Sequence, residues 1–323
     1  MQPKIKGVFP RVIDSTMRAD FMSCETKGYY SFNRKLGPPE GSVHLVAGGA
    51  YAKGLEVARL AIYGEKLPVH EGLERGMLAA IEAYGDFQTP EGKEQKGVDR
   101  VIQAMASYFE HYPPGTDHVQ PMFASDGKPM VEFTFGIPIP VLHPDSGEPI
   151  IYAGRFDMVG LYNDQVFCVD DKTTTQLGPT WPAKWNLRGQ FTGYAWACQQ
   201  YGKPVVGAIV RGTSFLKNSF GHAEAIQMRP QWMIDQWYEQ LIHDVTRWIR
   251  AWESGWFDQD FNETCAEYGG CPFQRLCTSS DPENWIEGYY KERDWDPLAK
   301  VPYVQPKQKV VQVEVPEGLR AIL

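Results

Sequence analysis

One stretch, RFDMVGLYNDQVFCVDDKTT from Arg155 to Thr174, constrains the fold more than any other part of the chain. Apolar and β-branched residues flank Asn163–Asp164, a pair that tolerates the positive φ angles of a two-residue hairpin turn. With that turn, Asp157 faces Asp170 across two antiparallel strands, and Lys172 shares the face of Asp170. A three-residue turn would instead place Asp157 opposite Asp171, so the functional hypothesis depends on the register.

The two facing aspartates lie among apolar residues, because the neighbours on both faces of the hairpin are mostly valine, phenylalanine, leucine and methionine. Two like charges placed opposite each other on an apolar surface destabilise a sheet unless a positive charge lies between them. Carboxylates with water suit Mg²⁺ or Mn²⁺, which prefer oxygen ligands. We therefore expect a divalent metal at Asp157 and Asp170; the alternative is an ordinary hairpin with a solvent-exposed acidic end.

The rest of the chain is predicted to form six helices and two further strands. Periodicity and punctuation by Gly, Pro and Asp predict helices at 15–33, 46–63, 69–84, 92–112, 186–201 and 231–253. Alternation predicts strands at 129–143 and over PVVGAIVRGTS, in addition to the hairpin. The predicted fold class is α/β, with a mixed central sheet flanked by helices, a helical N-terminal part and a Cys-rich C-terminal part.

Composition excludes several classes of protein. Of the 323 residues, 43% are hydrophobic and 22% charged, which is typical of a globular protein and not of a disordered or fibrous one. No apolar run approaches the ~20 residues of a membrane helix, and we expect no membrane partner. The N-terminal residues lack the apolar core of a signal peptide, so we expect a cytoplasmic protein whose six cysteines are reduced thiols or metal ligands.

The motifs GRFDMVG and VDDKTT, followed by Gln190-x-x-x-Tyr194, resemble the PD-(D/E)xK nuclease superfamily, in particular the RecB and AddB nuclease domains and CRISPR-associated iron–sulfur exonucleases. The resemblance implies a restriction-endonuclease-like core. It implies that Asp157 and Asp170 bind the metal and that Lys172 assists catalysis. Gln190 and Tyr194 share one helical face and would lie beside the metal, contacting DNA or the attacking water.

One motif of this family departs from its usual pattern. The family usually has a GxxxHxxLE-like sequence on an early helix, where the histidine binds the metal. In GGAYAKGLE of this chain, Gly48, Leu55 and Glu56 fit that motif, but Ala52 occupies the histidine position. Alanine has no donor atom. Either the site lacks that ligand or Glu56, one turn along, contributes an oxygen, so we include Glu56 among the candidate metal ligands.

The C-terminal part contains Cys265, Cys271 and Cys277 in CAEYGGCPFQRLC, and this density of thiols indicates a metal site. Cys24 lies in CETKGYY, which resembles the N-terminal cysteine segment of AddB-type nucleases. The resemblance implies that these four cysteines hold a [4Fe–4S] cluster, which joins the ends of one nuclease domain over residues 1–280, with a C-terminal extension over 281–323. Zinc bound by the same cysteines, or free thiols, remain alternatives.

The resemblance implies a metal-dependent DNA nuclease, most simply an exonuclease on single-stranded or duplex ends, in recombination, repair or mobile-element DNA processing. A helicase or recombination protein is a possible partner. The rival hypothesis is a catalytically degenerate DNA-binding module that keeps the fold and the cysteine site, because Ala52 replaces the usual histidine.

Overall fold

The computed structural model describes residues 6–38, 41–261, 263–266 and 270–299. The part of the predicted C-terminal extension beyond residue 299 lies outside the described residues. In chain order the elements are β1 (Val12–Ile13), α1 (Ser15–Ser23), α2 (Glu25–Gly28), β2 (Leu36–Gly37), α3 (Val43–Arg59), α4 (Val69–Tyr84), α5 (Val98–His111), β3 (Gln120–Pro121), β4 (Val131–Leu142), β5 (Pro149–Tyr162), β6 (Gln165–Thr174), α6 (Gly189–Gln200), β7 (Val205–Phe215), β8 (Phe220–Met228), α7 (Gln231–Ser254), α8 (Gln274–Cys277), α9 (Pro282–Tyr289) and β9 (Lys291–Glu292).

Two compact units are formed by discontinuous parts of the chain. The first comprises residues 1–39, 134–154 and 238–323, and the second comprises residues 40–133 and 155–237. Within the described residues, no helix is both long enough and apolar enough to cross a bilayer.

The first unit packs around Trp248 of α7, which is 1% exposed. Its ring stacks on Phe21 of α1 at a centroid distance of 4.9 Å and makes an edge contact with Phe9. Its indole N–H donates to the side-chain oxygen of Asn33 at 2.9 Å, so the one polar atom of the ring is satisfied inside the core. The unit therefore joins an N-terminal segment to a helix more than two hundred residues later in the chain.

The second unit contains a mixed sheet in the order β5, β6, β7, β8. The β5–β6 and β7–β8 pairs are antiparallel, β6 and β7 are parallel, and β3 pairs antiparallel with β5. Helix α3 packs on one face of β6, where a Cβ on Gly48 would lie 3.3 Å from Thr173 Oγ1. Helix α6 packs on the other face, where the thiols of Cys168 and Cys198 are 3.7 Å apart. The predicted mixed sheet flanked by helices is confirmed.

The hairpin turn forms as predicted. Asn163 and Asp164 have φ angles of 47° and 60°, so both adopt the left-handed conformation that a two-residue turn of this type requires. The pairing of Leu161 with Val166 and of Met158 with Val169 is the predicted register.

Several predicted boundaries need correction. The helix predicted over residues 15–33 is interrupted at Cys24, which has φ −167° and ψ 118° and whose N–H donates to the Asp20 carbonyl. The helix predicted to begin at Gly92 begins at Val98, and the helix predicted to begin at Asn186 begins at Gly189. Strand β8 was not predicted, because FGHAEAIQM mixes small and polar residues at positions that are mostly half-buried.

Candidate active site

The hairpin brings Asp157 close to the Asp170–Lys172 segment. The hydrogen-bonded register ends at Met158 and Val169, and Asp157 and Asp170 are the next residues on the two strands. At this point Asp157 Oδ2 accepts a hydrogen bond from the backbone N–H of Asp171 at 2.6 Å. A side-chain carboxylate therefore occupies the position where the ladder ends, and it lies directly beside the backbone of the Asp-x-Lys motif.

Asp170 and Lys172 form a close ion pair on the same face of β6. Lys172 Nζ lies 2.5 Å from Asp170 Oδ2, and the two side chains are 31% and 4% exposed. The carboxylate is thus buried, whereas the ammonium group remains partly open to solvent. The predicted placement of Lys172 on the face of Asp170 is confirmed, and the lysine can reach a ligand that approaches from solvent.

The surroundings of the site raise the pKa values of both Asp157 and Asp170. Desolvation by burial raises the pKa of Asp157 well above its ordinary value, and the charges of Asp170, Asp171 and Glu132 raise it further. Desolvation also raises the pKa of Asp170, although Lys172 opposes the shift. Burial works to lower the pKa of Lys172, but Asp170 and Asp157 more than offset it and leave that pKa raised. The site therefore favours an additional positive charge.

Asp171 points to the opposite face, as predicted, and there it forms a buried ion pair that the sequence did not reveal. Arg59 Nη2 of α3 lies 2.6 Å from Asp171 Oδ2, and the two side chains are 3% and 2% exposed. Burial works to lower the pKa of Arg59, but the charge of Asp171 raises it above its ordinary value, so the arginine stays charged. This pair fixes the middle residue of the Asp-x-Lys motif to α3.

A network of buried polar groups extends from Arg59. Arg59 and Arg211 both donate to the Tyr108 hydroxyl, at 2.6 and 3.2 Å. Arg211 also makes two hydrogen bonds of 2.7 Å to the carboxylate of Asp117. The arginine charges are therefore compensated within the network, which satisfies the condition for burying them.

Helix α6 is tied to the strand that carries Asp157. The Tyr194 hydroxyl donates to the Arg155 carbonyl at 2.6 Å, and Gln190 Nε2 donates to the Tyr194 hydroxyl at 2.7 Å. Tyr194 is only 4% exposed, whereas Gln190 is half-buried. The two predicted residues do share one helical face, and they anchor the β5 backbone two residues before Asp157.

Glu132 is held nearby in an uncommon backbone conformation. Its φ angle is 53°, in the left-handed region that non-glycine residues rarely adopt, and Arg155 Nε lies 2.8 Å from its carboxylate. Its charge contributes to the raised pKa of Asp157. Glu132 therefore belongs to the surroundings of the site and not to the open surface.

Glu56 lies on α3, one turn before Arg59, and its carboxylate is 3.0 Å from Lys53 Nζ. Helix α3 covers the face of β6 to which Asp171 points, whereas Asp170 and Lys172 lie on the other face. Among the described residues, no three His, Cys, Asp or Glu side chains are grouped closely enough to hold a metal ion. The predicted residues that the structure brings into direct contact are thus Asp170 with Lys172 and Gln190 with Tyr194.

The four predicted cluster cysteines lie in the first unit, where each is half-buried and outside any disulfide bond. Cys271 donates its backbone N–H to the Cys265 carbonyl at 2.8 Å. Burial raises the pKa of the Cys271 thiol, and the charges of Cys265 and Cys24 raise it further. Cys24, from the N-terminal segment, is therefore close enough for its charge to act on Cys271. Residues 267–269, between Cys265 and Cys271, lie outside the described residues. Cys168 and Cys198 pack against each other in the core of the second unit.

This chain is similar to one protein family and to several solved structures. The family model of the PD-(D/E)XK nuclease superfamily matches residues 42–278. A solved structure from Eubacterium rectale, provisionally described as an exonuclease, is 11% identical with a TM-score of 0.45, over 82% of this chain and 92% of that one. The solved structure of SSO0001 is 13% identical with a TM-score of 0.31, over 71% and 84% of the two chains. No curated protein matches this chain significantly. The family match includes the hairpin, α6 and the three C-terminal cysteines.

The buried pair of Arg59 and Asp171 predicts a large loss of stability when one partner is removed. We expect Arg59→Met to lower the free energy of unfolding by about 3–5 kcal/mol, because it leaves a buried carboxylate without its counter-charge. Urea denaturation followed by circular dichroism measures the change. The control is Arg75→Met, whose half-exposed pair with Glu65 should be worth less than about 1 kcal/mol. Equal effects of the two substitutions would contradict this account.

The raised pKa of Asp157 predicts a stability cost that grows with pH. The folded protein holds its proton to higher pH than the unfolded chain, so metal-free stability falls as pH rises from about 4 toward the folded-state pKa. Asp157→Asn removes this effect, and we expect the variant to gain stability relative to wild type above about pH 4, by an amount that grows until the pH reaches the folded-state pKa of Asp157. Urea denaturation in EDTA across this range measures the difference; a difference that does not change with pH would contradict it.

Proposed function

We propose that this chain, which belongs to the PD-(D/E)XK nuclease superfamily, is a DNA nuclease that depends on Mg²⁺ or Mn²⁺ and acts as an exonuclease on single-stranded or duplex ends. The observation that carries the proposal is the meeting of Asp157 with the Asp170–Lys172 pair at the point where the hairpin ladder ends. Those are the residues that the sequence resemblance assigns to the family motif.

The donor set fits a hard divalent cation at Asp157 and Asp170. Both side chains offer carboxylate oxygens, and both have raised pKa values that a nearby cation would lower. Asp157 Oδ2 is oriented by the Asp171 N–H, so that carboxylate has a fixed direction. When bound, such a metal polarises a phosphate and lowers the pKa of a bound water. We keep Glu56 of α3 as a proposed further ligand in place of the family histidine, because the charge of Asp157 reaches this helix and helps to raise the pKa of Arg59, one turn from Glu56.

Lys172 supplies the positive charge of the chain itself. Its ammonium group is partly exposed beside Asp170 and keeps its proton, since its pKa is raised. We assign it to stabilising the negative charge that develops on the phosphate as water attacks, a role that pre-oriented cations perform in low-dielectric sites. Gln190 and Tyr194 hold β5 in place and position the nucleic-acid strand beside it.

For the cysteines, we propose a structural [4Fe–4S] cluster held by Cys24, Cys265, Cys271 and Cys277, with zinc as the alternative. The raised pKa of Cys271 supports this, because two other thiols contribute to it. The cluster would join the ends of a single nuclease domain over residues 1–280. Hydrolysis needs no electrons, so the cluster would have no redox role in cleavage. We further propose that the enzyme acts in recombination, repair or mobile-element DNA processing, with a helicase or recombination protein as partner.

The rival function is a DNA-binding module without catalysis, which is favoured by Ala52 in place of the family histidine. The site has the acids and the lysine that the reaction needs, so cleavage is the better supported function. A cleavage assay distinguishes the nuclease from the DNA-binding module.

We expect the purified protein to degrade end-labelled DNA with Mg²⁺ or Mn²⁺, and to lose activity in EDTA. Asp170→Ala should abolish cleavage, and Lys172→Met should lower kcat on the order of 10²–10³-fold, because the charge on the phosphate loses its partner. Lys128→Met, at an exposed lysine, is the control. Product length distinguishes exonuclease from endonuclease action. Binding to DNA without cleavage in either metal would support the module instead.

We also expect protein purified without oxygen to be brown, to absorb near ~400 nm and to contain about four irons per chain. Cys271→Ala should remove colour and iron, while Cys198→Ala, at a thiol in the core of the second unit, should keep both. Stoichiometric zinc in a colourless protein would reject the cluster, and neither metal would leave the cysteines as free thiols.

A further inference from the structure

The segment that connects β6 to α6, residues 175–188, is held rigidly against the sheet. Trp181 in its middle is 3% exposed. A Cβ on Gly212 of β7 would lie 2.5 Å from the Trp181 ring and 2.7 Å from Leu177 Cδ2, so the segment lies directly on the β7 backbone. We call residues 175–188 the β6–α6 connection.

A second anchor lies close to its C-terminal end. The buried Arg229 donates from Nη2 to the Trp185 carbonyl at 2.7 Å and from Nε to the Thr192 hydroxyl at 2.9 Å. Gln227 donates to the Pro182 carbonyl at 3.3 Å. The backbone of the connection is thus fixed on both sides of Lys184.

This fixed backbone presents an apolar side chain and two cations to solvent. Leu187 is 83% exposed, and Lys184 and Arg188 are exposed beside it. Residues 175–188 contain no Asp or Glu, in a chain whose net charge is −8. Within the described part of the chain, no carboxylate forms an ion pair with Lys184 or Arg188. An anionic partner with an apolar surface matches this combination, because it would pair both charges and cover the leucine.

The Arg188 end of the connection is close to the candidate active site. Arg188 immediately precedes α6, two residues before Gln190 and three before Phe191. Lys172 Nζ in turn lies 5.9 Å from the ring centroid of Phe191 in the first turn of α6. A strand held at Arg188 is therefore near the lysine that we assign to the phosphate.

We propose that Lys184, Leu187 and Arg188 form the surface that receives the end of the DNA substrate. The two cations contact backbone phosphates, and Leu187 packs against the face of the terminal base. Phosphate contacts supply affinity without sequence preference, and apolar side chains pack against base faces that are not stacked. In duplex DNA only the terminal base pair offers such a face, so the leucine selects duplex ends. This inference rests on the proposed nuclease function.

The test measures binding separately from cleavage. Fluorescence anisotropy of the full chain in EDTA, with a labelled linear duplex oligonucleotide and with covalently closed circular duplex DNA as competitor, reports affinity without hydrolysis. We expect Lys184→Ala/Arg188→Ala to weaken binding about 10-fold or more near 0.1 M salt. The slope of log K against log salt should become shallower by about 1.8, because two phosphate contacts to duplex DNA are lost.

Leu187→Ala should weaken binding of the linear oligonucleotide about 5-fold or more and leave the salt slope and the binding of circular DNA unchanged. The control for the leucine is Leu78→Ala, at a position 62% exposed on α4. The control for the cations is Arg75→Ala/Lys128→Ala, at exposed positions elsewhere in the second unit.

Wild-type affinity in both sets of variants would overturn the proposed surface and leave the nuclease function intact. Equal loss of linear and circular DNA binding in Leu187→Ala would overturn the selection of ends. A wild-type protein that neither binds nor cleaves DNA would overturn the surface and the proposed function together.

Discussion

The structure of the site depends on one buried ion pair, between Arg59 and Asp171. Asp171 is the middle residue of the Asp-x-Lys motif, and its side chain is held under α3 while its neighbours face the other side of the sheet. Because successive residues of a strand alternate, fixing Asp171 on one face fixes Asp170 and Lys172 on the other. The backbone N–H of the same residue orients the Asp157 carboxylate. A single residue thus connects the helical layer to both acids of the candidate site.

Two buried carboxyl groups lie close together at the candidate site, where ionising them is unfavourable. Asp157 and Asp170 have raised pKa values from desolvation, with Asp170, Asp171 and Glu132 acting further on Asp157. Fold stability alone does not require such an arrangement, because apolar residues of similar size would pack there without the desolvation cost. The proposed cation site would account for it. Perturbed carboxylates of this kind are common at catalytic sites, and the family match places them in a nuclease.

The sequence predicted the hairpin well because two local signals agreed there. Asn163 and Asp164 both favour the turn, and the apolar alternation favours the same register. Contacts that depend on distant parts of the chain were not predictable in this way. Arg59 lies on another element more than a hundred residues before Asp171, and nothing in its helical periodicity indicates its partner. The break at Cys24 was missed for a related reason, since its local sequence favours helix and the extended geometry of a single residue has no strong signature.

The two-residue turn at Asn163 and Asp164 has a consequence for how this region can change in evolution. A one-residue shift of β6 would exchange its two faces: one added residue would place Asp170 against Arg59 and turn Lys172 away from α6, and one deleted residue would place Lys172 against Arg59. After the deletion, two cations would meet in the place of an ion pair. A change of one residue in the length of this surface loop would therefore disrupt the site, whereas a change of two residues would keep the two faces of β6 in place. Loops of this kind ordinarily accept single insertions.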